Sequence, residues 1–336
     1  MPDPFTTALA VFFCGLYTAL LRACYGPTTQ LLAAALLYFS GLPPLFAAGA
    51  GITGNLFLSS RNLCTKELLL FAHRRLGVAL GLFGIIGVIL GHLALAQISA
   101  SRQQVYAATC LFLLAAAGIF VLVLSFRREK APPLPKGIPL SVWPFPGWHS
   151  RGTPHFLEFL SLPAVFLTGL GMGFGAGFWG LGAGLPGVLL LAGTMRAPAR
   201  VALATDFLGS AVIGLAALVS FIFAGHLNIP AALLFLAGTI AGSWAGNLAP
   251  SQIKAAPFRP AFGGLLLLAA AAAGLMILGH PKAAALLLLG GMICLCAFIF
   301  AAHLLAVILD GAAQKKTGER PVNQTVLHPR ESTRHI

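Results

Sequence analysis

Runs of apolar residues long enough to cross a lipid bilayer dominate this chain. A helix rises 1.5 Å per residue, so about 20 apolar residues span a hydrocarbon core of roughly 30 Å. Stretches near that length run over residues 5–24, 44–60, 76–97, 105–125, 157–177, 200–223, 229–249, 260–279 and 283–309. Only 9% of the residues are charged and 58% are apolar, whereas about a quarter of a soluble domain is charged. No globule of this size hides that much apolar surface from water, so the surplus faces lipid. The sequence predicts an all-α polytopic membrane protein whose first partner is the bilayer.

The net charge of +13 arises from 21 basic and 8 acidic residues. In so apolar a chain the basic excess marks cytoplasmic loops rather than a phosphate-binding face, and no nucleic-acid partner is expected. Cys14, Cys24, Cys110, Cys294 and Cys296 lie inside apolar runs, where a thiol behaves as a small hydrophobe, and only Cys64 lies in a polar connection. Cys294 and Cys296 point to different sides of a helix, so they form no metal pair. No cofactor is called for. Met1–Phe5 carries no Lys or Arg, unlike the start of a signal peptide, and the run that follows is read as a span.

Two further apolar stretches, 28–41 and 183–194, are shorter, about 12 to 14 residues each. The first follows Gly26-Pro27 and the second follows Gly180–Gly184. Such interrupted segments suit half-helices enclosed by protein rather than bathed in lipid. Residues 127–156 are charged and proline-rich and form a cytoplasmic linker. Residues 311–336 are polar and basic, the composition of a disordered tail.

The chain also repeats itself. A shift of 155 residues brings Pro43 onto Pro198, Ala47 onto Ala202, Gly54 onto Gly209, Gly87 onto Gly242, Gly91 onto Gly246 and Gln97-Ile98 onto Gln252-Ile253. One further residue aligns Gly15 with Gly171 and Gly26 with Gly182. The halves are residues 5–126 and 157–281, with 283–309 as an extra helix. Counted with its short segment as a crossing, each half has five segments, and that odd number inverts the second half relative to the first. A short segment that dips in and returns changes the parity. The charges agree with that inversion. Arg61, Lys66, Arg74, Arg75, the linker, Arg196, Arg200, Lys254, Arg259 and the tail fall on one side, which is then cytoplasmic, with only Arg102 and Lys282 against the trend. The N-terminus, the turn Gly41–Pro44 and the loop Ala224–Asn228 fall outside. Inverted repeats with paired broken helices are the architecture of secondary transporters, and a duplicated scaffold without transport is the plainer alternative.

The stretch Gly177-Phe178-Trp179-Gly180-Leu181-Gly182-Ala183-Gly184 resembles the glycine motif of the sulfite exporter TauE/SafE family. The resemblance continues through Pro198, Ala204-Thr205, the loop Gly225-His226-Leu227-Asn228 and the helix Gly238–Gly246. Where the family repeats its glycine motif, the first half here carries Tyr25-Gly26-Pro27-Thr28-Thr29-Gln30, and Asp206 stands where a small polar residue is expected. The resemblance implies a transporter of the cytoplasmic (inner) membrane that moves small sulfur-containing anions such as sulfite or organosulfonates. Another small solute remains the main rival cargo.

An anion leaving water needs donors in place of its hydration shell. A helix N-terminus supplies unpaired N–H groups and the positive end of a dipole, and glycine lets the anion reach them. Gly182, Ala183 and Gly184 open one short helix; Gly26, Thr28, Thr29 and Gln30 open its repeat partner. With Thr205 they form the expected substrate-binding set, although tight helix packing and a plain N-cap account for the same residues. Gly87 and Gly91, like Gly238, Gly242 and Gly246, stand four apart on one helix face and read as packing residues.

Asp206 alone among the acids lies well inside a predicted span, roughly 9 Å from the helix start at Arg200. A charge at that depth costs a few kcal/mol or more, so it carries a functional hypothesis. A fixed carboxylate repels an anionic cargo, and a co-transported proton resolves the conflict. A structural pair with Arg200, Arg196 or Arg22 is the competing reading. Arg22 itself either attracts anions or marks the cytoplasmic boundary. An intramembrane enzyme finds little support: Ser210 lacks a nucleophile's glycine setting, His303 falls outside the repeat, and no HExxH exists. No oligomeric state follows from these residues.

Overall fold

The computed structural model describes residues 4–25, 29–64, 72–101, 103–126, 162–181, 191, 199–248, 259–280, 282–294 and 297. Among them there is no strand. The helices are α1 (Pro4–Tyr25), α2 (Gln30–Phe39), α3 (Pro44–Leu63), α4 (Arg74–Ser101), α5 (Gln103–Phe126), α6 (Leu162–Trp179), α7 (Ala199–Phe223), α8 (Ile229–Leu248) and α9 (Arg259–Ile277). A further helix, α10, covers Lys282–Cys294. Six of these, α1, α4, α5, α7, α8 and α9, are long and apolar enough to cross a membrane. Their outward faces carry Leu82, Leu93, Phe112, Ile119, Leu233 and Trp244, all largely exposed. A continuous apolar exterior of this kind is matched by lipid rather than water. The chain is a polytopic membrane protein.

The short segment of the first half behaves as its sequence demands. With ten residues, α2 is only about 15 Å long. Every residue from Leu31 to Leu37 is buried, so no face meets lipid. A helix apolar all round must be enclosed, because its own sequence offers no polar side to present elsewhere. Its end is written locally. Gly41 adopts φ 96°, and the N–H groups of Gly41 and Leu42 return to the carbonyls of Tyr38 and Leu37. That is a Schellman cap, and Pro44 then starts α3 at a position where no N–H is needed. The second short segment, 183–194, lies outside the described residues apart from Leu191, which is buried and helical.

Two interfaces dominate the bundle: α4 against α6, and α1 against α8. Both are glycine-seamed. Gly87 and Gly91 of α4 meet the backbone of Leu170, Phe174 and Phe178 on α6, and Gly173 and Gly177 of α6 meet Gly84 and Val88 in return. Gly238, Gly242 and Gly246 of α8 lie against Phe12, Leu16 and Leu20 of α1. Without an interhelical hydrophobic drive in lipid, such small residues permit the close approach that gives packing energy. Exchanging the halves at the repeat offset carries the α1–α8 interface into α6–α4, and α3–α8 into α7–α4. It carries α3–α7 and α5–α9 into themselves. The packing glycines thus join one half of the chain to the other.

Candidate functional site

α1 delivers a cation into the middle of this packing. Arg22 is 7% exposed, and none of its three guanidinium nitrogens has a hydrogen-bond partner. The guanidinium carbon lies 5.5 Å from the centre of the Phe207 ring on α7, a cation–π arrangement. Asp206, the neighbour of that ring, is fully buried and interacts electrostatically with Arg22. Yet no hydrogen bond joins the two. Asp206 Oδ2 meets Ser210 Oγ at 3.5 Å, and Oδ1 has no partner. Of the pairings expected for Asp206, the one with Arg22 is present in the field but unclosed in contact. Arg196 and the side chain of Arg200 lie outside the described residues. Arg22 is buried in the bundle, whereas a boundary arginine ordinarily keeps its charge in water.

A small cavity of about 10 Å³, the volume of one water, opens beside Arg22. Thr18, Asn55 and Thr239 supply its polar walls, and Ala33, Leu58 and Phe235 its apolar ones. Thr18 and Thr239 donate their hydroxyl protons to carbonyls on their own helices, Cys14 and Phe235, both at 2.8 Å. Asn55 donates one amide proton to the Gly180 carbonyl at 2.8 Å, which ties α3 to the end of α6. Gly180 has φ 66°, and a Cβ there would collide with the Ala48 carbonyl, so only glycine fits.

Among the residues expected from sequence, Thr29 sits fully buried at the start of α2 and makes no side-chain cap. Gln30 is the first residue of α2. Thr205 is buried, and its Oγ1 accepts the backbone N–H of His73 at 3.0 Å. His73 in turn accepts the Leu76 N–H on Nδ1 at 3.1 Å, capping α4 from outside the span. Burial holds that imidazole below the ordinary histidine range. Gly26, Thr28, Gly182, Ala183 and Gly184 lie outside the described residues. Sequence reasoning passed over Thr18, Asn55 and Thr239, ordinary polar residues in apolar runs. Only Thr18, one helical turn before Arg22, carried a local signal.

A second polar chain joins α4, α7 and the loop that follows α7. Ser220 Oγ lies 3.1 Å from His92 Nδ1, and His92 Nε2 lies 2.9 Å from His226 Nδ1. His226 belongs to the Gly225–Asn228 loop, whose turn is set by Gly225 at φ 68°. His92 is the centre of this chain.

The family model for sulfite exporter TauE/SafE matches residues 10–273. No curated protein and no solved structure matches the chain. With most of its length inside that match, the chain belongs to the TauE/SafE family.

Proposed function

Taking that membership as the premise, we propose that the protein is a secondary transporter moving a small sulfur-containing anion, sulfite-like or sulfonate-like, across the cytoplasmic membrane. The observation that carries this reading is Arg22, a buried guanidinium without a hydrogen-bond partner. Asp206 lies in its field but makes no hydrogen bond to it, and a buried cation left uncontacted is costly until a counter-charge closes on it. An anionic cargo does so, whereas a neutral solute does not. The N-termini of the two half-helices, Gly182, Ala183 and Gly184 with Gly26, Thr28, Thr29 and Gln30, complete the proposed route together with Thr205. The enclosed α2 supports this: its start lies inside protein, where N–H groups are not claimed by water.

Asp206 couples the movement to protons in this proposal. Purified protein in proteoliposomes should take up labelled sulfite or methanesulfonate faster under an inward proton gradient. Asp206→Asn should lower that gradient-driven uptake several-fold while protein levels stay near those of the wild type. Equal stimulation by the gradient in both would end the coupling role. No uptake of either anion by the wild type would end the transport reading.

The halves 5–126 and 157–281 are proposed as inverted repeats, N-terminus outside and C-terminus inside, with 127–156 as the cytoplasmic linker. Reporters fused in the linker and at Ala224–Asn228 should then report opposite sides of the membrane. The same side for both would break the inversion.

A further inference from the structure

Given the anion-transport reading, on which this rests, we propose that the cargo's headgroup docks on Arg22 between Thr18, Asn55 and Thr239. We propose further that the site takes monovalent headgroups of the sulfonate type, with Asp206 as the internal counter-ion the anion replaces.

Geometry is the first support. Arg22 brings five N–H donors in a planar fork, suited to two oxygens of one headgroup. All three of its nitrogens are unpartnered while the residue is more than nine-tenths buried, and Arg22 is one of the residues that line the cavity. Asn55 uses one amide proton on Gly180 and keeps a second for an oxygen. The two threonine hydroxyls can turn from their own-helix carbonyls, which stay bonded within the helices. Ala33, Leu58 and Phe235 also line the cavity, a wall for carbon rather than for a second charged group.

Charge is the second support. With Asp206 ionised, the pair is neutral overall, and an incoming anion leaves a net negative charge in a medium of low dielectric. With Asp206 protonated, a monoanion restores neutrality. A dianion leaves the same uncompensated charge as before. The site therefore exchanges one carboxylate charge for one sulfonate charge, and one proton enters with each anion.

Among the described residues the surroundings hold no rival to Asp206 for that proton. Arg22 faces it from α1 and Ser210 from α7 itself. The arginines that begin α4, Arg74 and Arg75, are exposed, and His92 further along is bonded to His226. His73, ahead of α4, bonds Thr205 through its backbone. On α3 the titratable residue is Arg61, which donates to Ser243 on α8, and α6 has none. Because the cavity has room for about one water, a sulfonate reaches Arg22 only when the helices around it separate, the movement alternating access requires.

Methanesulfonate binding to the full chain in lipid nanodiscs, followed by calorimetry across pH, tests this. The wild type should bind more tightly as pH falls and take up about one proton per anion. Sulfate should compete poorly. Asp206→Asn should bind methanesulfonate with no proton uptake and little pH dependence. Removing Arg22 alone strands Asp206 in the bundle and risks unfolding, so the decisive variant is Arg22→Gln with Asp206→Asn, which removes both charges together. It should stay folded and bind at least about thirtyfold more weakly, the loss expected for one partner of a buried charge pair. Wild-type affinity in the folded double variant overturns the site, as does a wild type that binds no methanesulfonate. If that double variant binds normally while Gly184→Val does not, the anion sits at the half-helix instead. Wild-type vesicles that carry labelled sulfite keep the transport reading alive in either event.

Discussion

The surroundings of Arg22 and of Phe178 occupy equivalent places in the two halves of the chain, yet they are chemically opposite. The repeat offset carries Arg22 onto Phe178, Thr18 onto Phe174, Asp206 onto Gly51 and Thr239 onto Gly84. Around Arg22 the frame holds a guanidinium, a carboxylate and two hydroxyls. Around Phe178 it holds aromatic rings: Phe174 stacks on Phe178 with centroids 5.5 Å apart, and Trp179 meets Phe178 edge-on at 4.8 Å. The backbone seams that support the two places are alike, with Gly242 and Gly246 of α8 on one side and Gly87 and Gly91 of α4 on the other. At the repeat offset the glycine seams match, and the side chains set between them differ. One half carries charge, and the other fills the same space with rings.

The largest effect should come from forcing the two places to trade chemistry. Phe178→Arg buries a guanidinium where the repeat offers Gly51 in place of an acid. An uncompensated buried charge of this kind costs roughly 3–5 kcal/mol, so folded protein should largely disappear from size-exclusion profiles. The reverse exchange, Arg22→Phe with Asp206→Gly, copies the aromatic side onto the charged one. That variant should fold and lose methanesulfonate binding altogether. A Phe178→Arg protein as stable as the wild type would mean that the aromatic place already accommodates charge, and the contrast drawn between the halves would fall.

Much of this frame was legible in the residues themselves. Apolar runs gave α1, α4, α5, α7, α8 and α9 to within a few residues, because length and hydropathy are properties of one segment at a time. The Gly-Pro break and the short run after it marked α2 as enclosed, and Gly41 marked its end. The packing role of Gly87, Gly91, Gly238, Gly242 and Gly246 followed from their spacing on one helical face. The partners of Arg22 were not legible. Asn55 reaches the site only because α3 crosses the end of α6 at Gly180, and Thr239 because α8 lies along α1. Those are contacts between segments far apart in sequence, and no local pattern encodes them. The glycines expected to open the second half-helix, Gly182 and Gly184, remain a proposal beside the Arg22 cavity.

A gentler contrast lies in the seams. Gly15 and Gly171 are repeat partners, yet a Cβ on Gly15 would strike the Phe235 carbonyl and come within 3.0 Å of the Thr239 backbone nitrogen, while one on Gly171 meets nothing within 4 Å. Gly15→Ala must therefore push α1 and α8 apart, at a cost of about 1–3 kcal/mol for overpacking. Gly171→Ala meets no obstacle and gains helix propensity, up to about 1 kcal/mol. Unfolding in detergent should separate the two variants in opposite directions from the wild type. The first should also disturb binding, because Phe235 and Thr239 are walls of the Arg22 cavity and move with α8. A methanesulfonate affinity that falls in Gly15→Ala and holds in Gly171→Ala ties the seam to the site. Equal shifts in stability at both positions would show that the seams are as symmetric as the sequence repeat, leaving only the side chains at Arg22 and Phe178 to distinguish the halves.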